Sequence, residues 1–425
     1  MVSVEEAFFG AAIIIFIGYF GLLLFKKTKI PEILFLMVVG LLIGPIFGFF
    51  GEGELSVLKN FLPFFASFAL MIVLFEGGMQ LNFFKTLRAL PDAFIFTLTV
   101  FILTVGFISV AWFLFTGDLL VGALLGTILG GTSSAIIIPL VNNTSARDET
   151  KMLLGLESAL TDALCVISAV AIASTIYLVS SGNAGGIGGV SVGSSILSAF
   201  SIATVLGVLF GFGWLKVLPF FEKKPYEYLF TIGVLMFLYS VVEFFKGNGA
   251  IAALTFGVVL GNSFDLLSML RFSPKVINSQ IKSFQMEITF LVRTFFFVYL
   301  GLLFSISYLN DMVVILMALI IMVIILFTRF VGAKIISKFN KVFSDNLLFI
   351  TTMNGRGLAA ASLIFFPTIT MLNLGDTFAQ LAAIVFLVIL LSNITTTIGV
   401  FVSEKQLDSK KKKGVLIDTL NKPAT

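Results

Sequence analysis

Four acidic side chains stand inside stretches of sequence otherwise fit to be solvated by lipid: Glu76, Glu157, Asp162 and Glu287. A charge at the centre of a membrane-spanning helix costs about 2.5–3.5 kcal/mol on insertion scales, so an unpaired one is retained for use, as part of an ion or proton pathway. Two of the four lie five residues apart, in GLESALTDALCVISAVAI at 155–172. At about 100° per residue, Glu157 and Asp162 point about 140° apart on a helix, while Ser158 shares a face with Asp162 and Thr161 with Glu157. The two acids are therefore not a dyad sharing one proton. The spacing predicts one acid neutralised by an arginine from another helix and one left exposed in a polar cavity. Arg293, Arg329 and Arg356 are the arginines at membrane depth that could supply the partner.

Composition sets the surroundings in which these groups work. The 425 residues are 58% hydrophobic and 12% charged with a mean hydropathy of +1.10, far from the about 45–50% apolar and about 25% charged of soluble domains. The chain reads as an all-α, polytopic membrane protein with no soluble domain of useful size. The lone Cys165 excludes a disulfide within the chain, and three residues beyond Asp162 it reads as a small apolar filler. The start MVSVEE is acidic where a signal peptide is basic, so the first apolar run is expected to be a retained span.

Measured against the about 20 residues a helical span needs, the apolar runs predict thirteen helices, at roughly 7–25, 31–50, 60–81, 91–115, 119–141, 151–180, 195–218, 227–246, 249–264, 284–308, 312–333, 346–369 and 378–402. A basic tail follows at 403–425. Short loops rich in Lys and Arg stay cytoplasmic. With the N-terminus outside, 22 of the 27 basic residues fall on cytoplasmic segments, only Lys59 and Lys246 fall outside, and the three arginines above fall within spans. The expected topology is N-terminus out and C-terminus in, and the net charge of +4 is a topology signal plus a lysine tail near anionic headgroups, with no sign of nucleic-acid binding.

The connector SSGNAGGIGGVSVGSS at 180–195 is Gly/Ser-rich and uncharged, which suits a flexible link, and it lacks the strand, helix and lysine of a phosphate-binding loop. The triplets beginning at Asn142 and Asn393 match the glycosylation pattern but are expected at a cytoplasmic and an intramembrane position, where neither is modified.

A weak internal repeat says where a site should lie. IPEILFLMVVGLLIGP in span two is similar to GAIAALTFGVVLGNSF in span nine, and LMIVLFEGGMQLNFF in span three to FFFVYLGLLFSISYL in span ten. Both offsets are seven spans, and an odd offset reverses the direction of each copy through the bilayer, as in transporters built from inverted-topology repeats. The repeats are expected over about 7–180 and about 227–402, with a linker helix at about 195–218. Such folds bind substrate where paired spans are broken by Gly or Pro, because only there is backbone free to meet a ligand at membrane depth. Spans five and twelve, again seven apart, supply GGTSSAIIIP, with Thr132, Ser133, Ser134 and Pro139, and TTMNGRGLAAAS, with Asn354 and Arg356. Gly122, Gly126 and Gly130, at four-residue spacing, read as a close-packing face instead.

These motifs together resemble a known family. GLLIGP around Gly44, FEGG at Glu76, a broken polar span five, LESALTD in span six, FFFVYLG in span ten and GRGLAAASL in span twelve are similar, in the same order along nearly the whole chain, to the monovalent cation:proton antiporters of the NhaP-like branch that includes the Na+/H+ exchangers. The branch signature Glu-Ser-x-x-Asn-Asp reads here from Glu157 to Asp162 with Thr161 in place of Asn, and the Thr-Asp-Pro frequent in span five reads Thr132-Ser133-Ser134. The resemblance implies an antiporter fold of two inverted repeats with discontinuous helices crossing at the ion site. It implies exchange of Na+, or Li+ or K+, for H+ in the cell membrane, with Asp162 holding either a proton or an alkali cation. Ser158, Thr132, Ser133 and Thr161 would supply oxygens suited to a hard ion, so that Asp162, Ser158 and Thr132 ligate the transported metal. It further implies a structural pair between Glu157 and Arg329, with Arg293 the rival partner, Arg356 offsetting carbonyl ends of broken helices, no cofactor, and a homodimer in the lipid bilayer.

Each site residue also has a plainer reading. Asp162 could be a structural acid paired with an arginine, Glu76 could reach the cytoplasmic interface near Lys85 rather than funnel ions, and Glu287 reads as solvated near the inner end of span ten. A K+/H+ antiporter of the same fold and a Na+-coupled organic solute symporter stand as the alternatives, ahead of a channel or an intramembrane enzyme. Since the chain has no histidine, a pH response near neutrality has to come from carboxylates. One unpaired central acid argues for one proton per cation.

Overall fold

The computed structural model describes residues 4–81, 83–180, 188–221, 226–269, 279–372 and 374–420. Among them the chain is helical with short turns and breaks, and ten helices are long and apolar enough to cross a membrane, with three shorter apolar helices besides. In chain order they are α1 (Val4–Thr28), α2 (Glu32–Leu41), α3 (Glu52–Gln80), α4 (Phe83–Thr116), α5 (Leu119–Leu129), α6 (Ser134–Asn142), α7 (Asp148–Ser180), α8 (Gly188–Val217), α9 (Glu227–Phe244), α10 (Gly249–Gly261), α11 (Ser263–Met269), α12 (Ser279–Leu303), α13 (Met312–Phe339), α14 (Leu347–Thr352), α15 (Leu358–Ile364), α16 (Pro367–Thr370) and α17 (Asp376–Leu420). Span five thus divides into α5 and α6, and span twelve into α14, α15 and α16.

Some expected boundaries need correction. The connector expected at 180–195 is shorter, because helix resumes at Gly188; its part at 181–187 lies outside the described residues. Extending an existing helix adds one hydrogen bond per residue ordered, which outweighs the weak preference of Gly and Ser. Through part of the basic tail expected at 403–425, α17 runs on to Leu420. Span ten ends at Leu303, and Ile306–Leu309 form a 3₁₀ turn.

Local chemistry explains several helix ends. Asp118, Asn248 and Asp311 cap α5, α10 and α13 by accepting from Val121 N (3.0 Å), Ile251 N (3.0 Å) and Val313 N (2.9 Å). Just after α2 the nitrogen of Pro45 has no hydrogen to donate to the preceding turn, and the helix widens into a π-turn at Leu42–Ile46, with Phe47 N donating to Leu42 O (2.9 Å).

Glycine decides which helices touch. A Cβ at Gly40 of α2, or at Gly44 in the π-turn that follows it, would collide with the backbone of α12 at Val298 and Leu302, and one at Gly301 would collide with Met37. Between α3 and α10 the arrangement recurs: Gly78 lies on Leu254, Gly257 on Phe75 and Gly261 on Met79. Gly122 and Gly126 seat α5 against Ser109, Trp112 and Val105 of α4, the close-packing face expected of them. Residues 121–129 are buried apart from Ala123, so the broken span lies at the centre, whereas α1 is peripheral. Large apolar side chains such as Phe16, Phe107 and Val323 are exposed, which is the surface a lipid solvent requires.

Adjacent glycines in α3 give an internally controlled test. Gly78→Ala pushes a methyl into α10, and overpacking of this kind costs about 1–3 kcal/mol, whereas a methyl at Gly77 meets nothing within 4 Å. In detergent, Gly78→Ala should lower the unfolding temperature while Gly77→Ala keeps or raises it.

Candidate ion-binding site at two crossed helix breaks

The segments between α5 and α6 and between α14 and α15 meet backbone to backbone. Ser133 N donates to Gly355 O (2.9 Å), and a Cβ at Gly357 would overlap the Ser133 hydroxyl. Gly131 allows α7 to approach, because a Cβ there would lie 2.7 Å from Cys165 Sγ and 2.9 Å from Thr161 Cβ. Cys165 is the small buried filler of this crossing. The unpaired backbone of the second break is met from α17: Arg356 N donates to Ser392 Oγ (3.1 Å), Asn393 Nδ2 to Arg356 O (2.8 Å), and Asn354 N to Thr396 Oγ1 (3.2 Å). Broken helices are tolerated at membrane depth only with such replacement partners.

Two buried arginines serve the carbonyl ends of the first half-helices. Arg356 donates through Nε (3.1 Å) and Nη2 (3.0 Å) to the carbonyl of Leu129, the last residue of α5, and through Nη1 to Asn354 O. Arg329 donates through Nε (3.3 Å) and Nη2 (3.0 Å) to Ile350 O in α14. Each cation sits where the helix dipole is negative and carbonyls lack helical partners. Arg329 also holds Glu157 with both arms, Nη1–Oε1 at 2.9 Å and Nη2–Oε2 at 3.5 Å, over the ring of Phe96, and neither residue is exposed. A two-armed pair with its remaining donors satisfied is the geometry in which burial of both charges is sustained.

Asp162 is treated differently. It is 7% exposed and, among the described residues, faces no cation within ion-pair distance. Its Oδ2 accepts from the Ser134 hydroxyl (2.7 Å) and from Ser134 N (3.3 Å), at the N-terminal turn of α6. Thr161 joins α7 to the break: Thr132 N donates to its hydroxyl (3.2 Å), which lies within reach of Ser158 O (3.2 Å). Thr132 Oγ1 is buried with no hydrogen-bond partner. An unmet buried hydroxyl is unfavourable, and those of Thr97, Thr294 and Ser403 share that state.

The expected residues divide into groups. Asp162, Thr132, Ser133 and Thr161 come together at the crossing. Ser158 is buried one turn before Asp162, and its hydroxyl donates to Gly155 O (3.0 Å). Arg293 is not a partner of Glu157: it forms an ion pair with Glu32 of α2, because α2 and α12 are the helices that glycine brings into contact. Glu76 is half-buried and accepts from Gln80 Nε2 (3.0 Å), while Glu287 is exposed. Sequence reasoning passed over Glu32, which sits at the very start of its span, and took Ser392, Asn393 and Thr396 for part of an ordinary span. The cluster SNITTT at 392–397 in an apolar helix was the available signal. It also left Ser134 out of the ligand set, although the missing proline at that place frees a backbone donor.

The chain is 25% identical over 321 residues to the probable Na(+)/H(+) antiporter 2 of Methanocaldococcus jannaschii, covering 70% of this chain and 71% of that protein. It is 28% identical over 250 residues to the K(+)/H(+) antiporter NhaP2 of Shewanella oneidensis, covering 56% of this chain and 40% of that one. In fold it matches the sodium proton antiporter MjNhaP1 of Methanocaldococcus jannaschii at pH 8, with a TM-score of 0.74 at 21% identity over 93% of this chain and 96% of that one. Residues 12–403 match the family described as sodium/hydrogen exchanger, transmembrane, so the chain belongs to that family of secondary transporters and is not an enzyme.

Proposed function

We propose that the protein exchanges Na+ for H+ by competition of the two ions for the Asp162 carboxylate. The observation that carries this reading is the contrast between two buried acids on one helix: Glu157 is neutralised by Arg329, and Asp162 meets only hydroxyl and amide groups. A carboxylate withdrawn from water is stabilised by whichever ion neutralises it. Either ion makes the site neutral enough to cross, while the empty carboxylate stays behind. Thr132 Oγ1, two residues before Ser134, is a buried oxygen without a hydrogen-bond partner, and with Ser133 and Ser158 it is assigned to the hard-ion shell. Glu76, half-buried on α3, is assigned to the approach path of the cation. Glu157, Arg329 and Arg356 are assigned to the frame, and Arg293 with Glu32 to the contact of α2 and α12.

The inverted repeats at about 7–180 and about 227–402 are supported by the packing. An offset of seven spans turns the α2–α12 contact into the α10–α3 contact, and both rest on glycine; it likewise exchanges the two broken spans. The cytoplasmic assignment of the C-terminus rests on the basic-loop bias. It is supported by Lys29–Glu404, Arg147–Asp345 and Asn340–Asp92, which all join segments expected on one side. A K+/H+ exchanger remains the second reading, favoured by the Shewanella relative. The homodimer is kept as part of the proposal on the resemblance alone.

In proteoliposomes, adding Na+ should drive internal pH change for the wild type at a rate independent of a clamped membrane potential, and Asp162→Asn should reduce it at least a hundredfold. K+ driving the flux where Na+ fails would select the second reading, and flux at the full rate in Asp162→Asn would remove Asp162 from the mechanism. Glu157→Gln should behave otherwise: it leaves a buried guanidinium uncompensated, which costs about 3–5 kcal/mol, so thermal unfolding in detergent should fall sharply for Glu157→Gln and little for Asp162→Asn.

A further inference from the structure

We infer that Ser134 is a positioning residue, a two-donor clamp that competes with both transported ions for Asp162; the inference rests on the exchange reading above. Ser134 is the first helical residue of α6, and it gives Asp162 Oδ2 both its hydroxyl (2.7 Å) and its backbone N–H (3.3 Å). At a helix N-terminus those donors add to the favourable end of the dipole. Hydrogen bonds to a charged acceptor contribute about 1.5–3 kcal/mol each, and they favour the ionised carboxylate over the protonated one. The hydroxyl can turn and accept from a proton on Oδ2, which recovers only part of the charge-assisted bond it gives to the ionised carboxylate. The amide can only donate, so it opposes protonation in every state.

The backbone allows the two donors to be removed separately. Ser133 has φ −87° and ψ 119°, the extended geometry required before proline, and proline is well tolerated at the first helical position. Ser134→Ala deletes the hydroxyl alone, and Ser134→Pro deletes both donors at a position where a helix accepts proline, with the ring carbon entering the space of the lost N–H beside Asp162 Oδ2. The titratable groups that act on Asp162 besides this clamp are Glu157 on α7 and Glu76 from α3. Cys165 lies one turn further along α7, with Arg356 beyond it, and both stay in place in these variants.

The test is the pH dependence of Na+-driven proton flux in proteoliposomes for wild type, Ser134→Ala, Ser134→Thr and Ser134→Pro, with Asp162→Asn alongside. Loss of a donor that favours the ionised form makes the proton harder to displace. The pH of half-maximal exchange should therefore rise by about one unit in Ser134→Ala, since about 1.4 kcal/mol corresponds to one unit, should rise further in Ser134→Pro, and should return to the wild-type value in Ser134→Thr. A purely structural role would lower the maximal rate and leave the profile where it was. If Asp162→Asn abolishes exchange while Ser134→Ala and Ser134→Pro keep the wild-type profile, the clamp is refuted and the exchange reading stands. Activity retained in Asp162→Asn would sink the exchange reading itself. A flat or lost profile in Ser134→Ala that Ser134→Thr does not restore, with unfolding temperatures unchanged, also overturns the clamp.

Discussion

A carboxylate at the centre of a lipid-solvated bundle, left without a cation of its own, is the constraint from which the rest of this molecule follows. Neighbouring buried charges are neutralised or spread over carbonyls: Arg329 on Glu157 and Ile350, Arg356 on Leu129 and Asn354, Arg293 on Glu32. Asp162 receives only the two donors of Ser134. The insertion cost of such a group is a few kcal/mol, and the fold sustains it by giving the acid two polar donors.

Positioning that acid requires two broken helices, and the breaks create needs of their own. Carbonyls at the ends of α5 and α14 lose their helical donors, and the two buried arginines take their place. Ser392, Asn393 and Thr396 of α17 meet the remaining amides and carbonyls of the second break. Gly131, Gly355 and Gly357 let three segments approach more closely than any side chain would permit. Chemistry and architecture are therefore inseparable here: substituting a residue of the frame acts on the ion site through backbone placement, although it touches no ion.

Much of this was legible in the sequence, because a membrane interior makes polarity informative. A charge or a run of glycines stands out against residues that lipid would otherwise choose, so Asp162, the pair of Glu157 with an arginine, and both breaks could be named in advance. Helical phase separated Glu157 from Asp162 correctly, since 140° on one cylinder does not depend on tertiary contacts. What stayed hidden were choices among partners. Arg293 and Arg329 are equivalent in composition, and only the glycine-mediated approach of α2 to α12 sends Arg293 to Glu32. Ser158 shares the face of Asp162, yet the residue that reaches the carboxylate is Ser134, brought there by the crossing of α6 with α7. One helix end misled where Gly and Ser suggested a loop, because propagation carries α8 through weak helix formers, while α17 runs on through lysines, which are good ones.

The central claim, that one carboxylate holds either ion but never both, is tested most directly at equilibrium rather than in flux. Calorimetric titration of the purified protein with Na+, in buffers of differing ionisation enthalpy near the midpoint of its pH profile, counts the protons released as the cation binds. The account predicts release of up to one proton per Na+ bound, rising as pH falls, and none from Asp162→Asn. Sodium binding to the wild type with no proton release across the active pH range would contradict it.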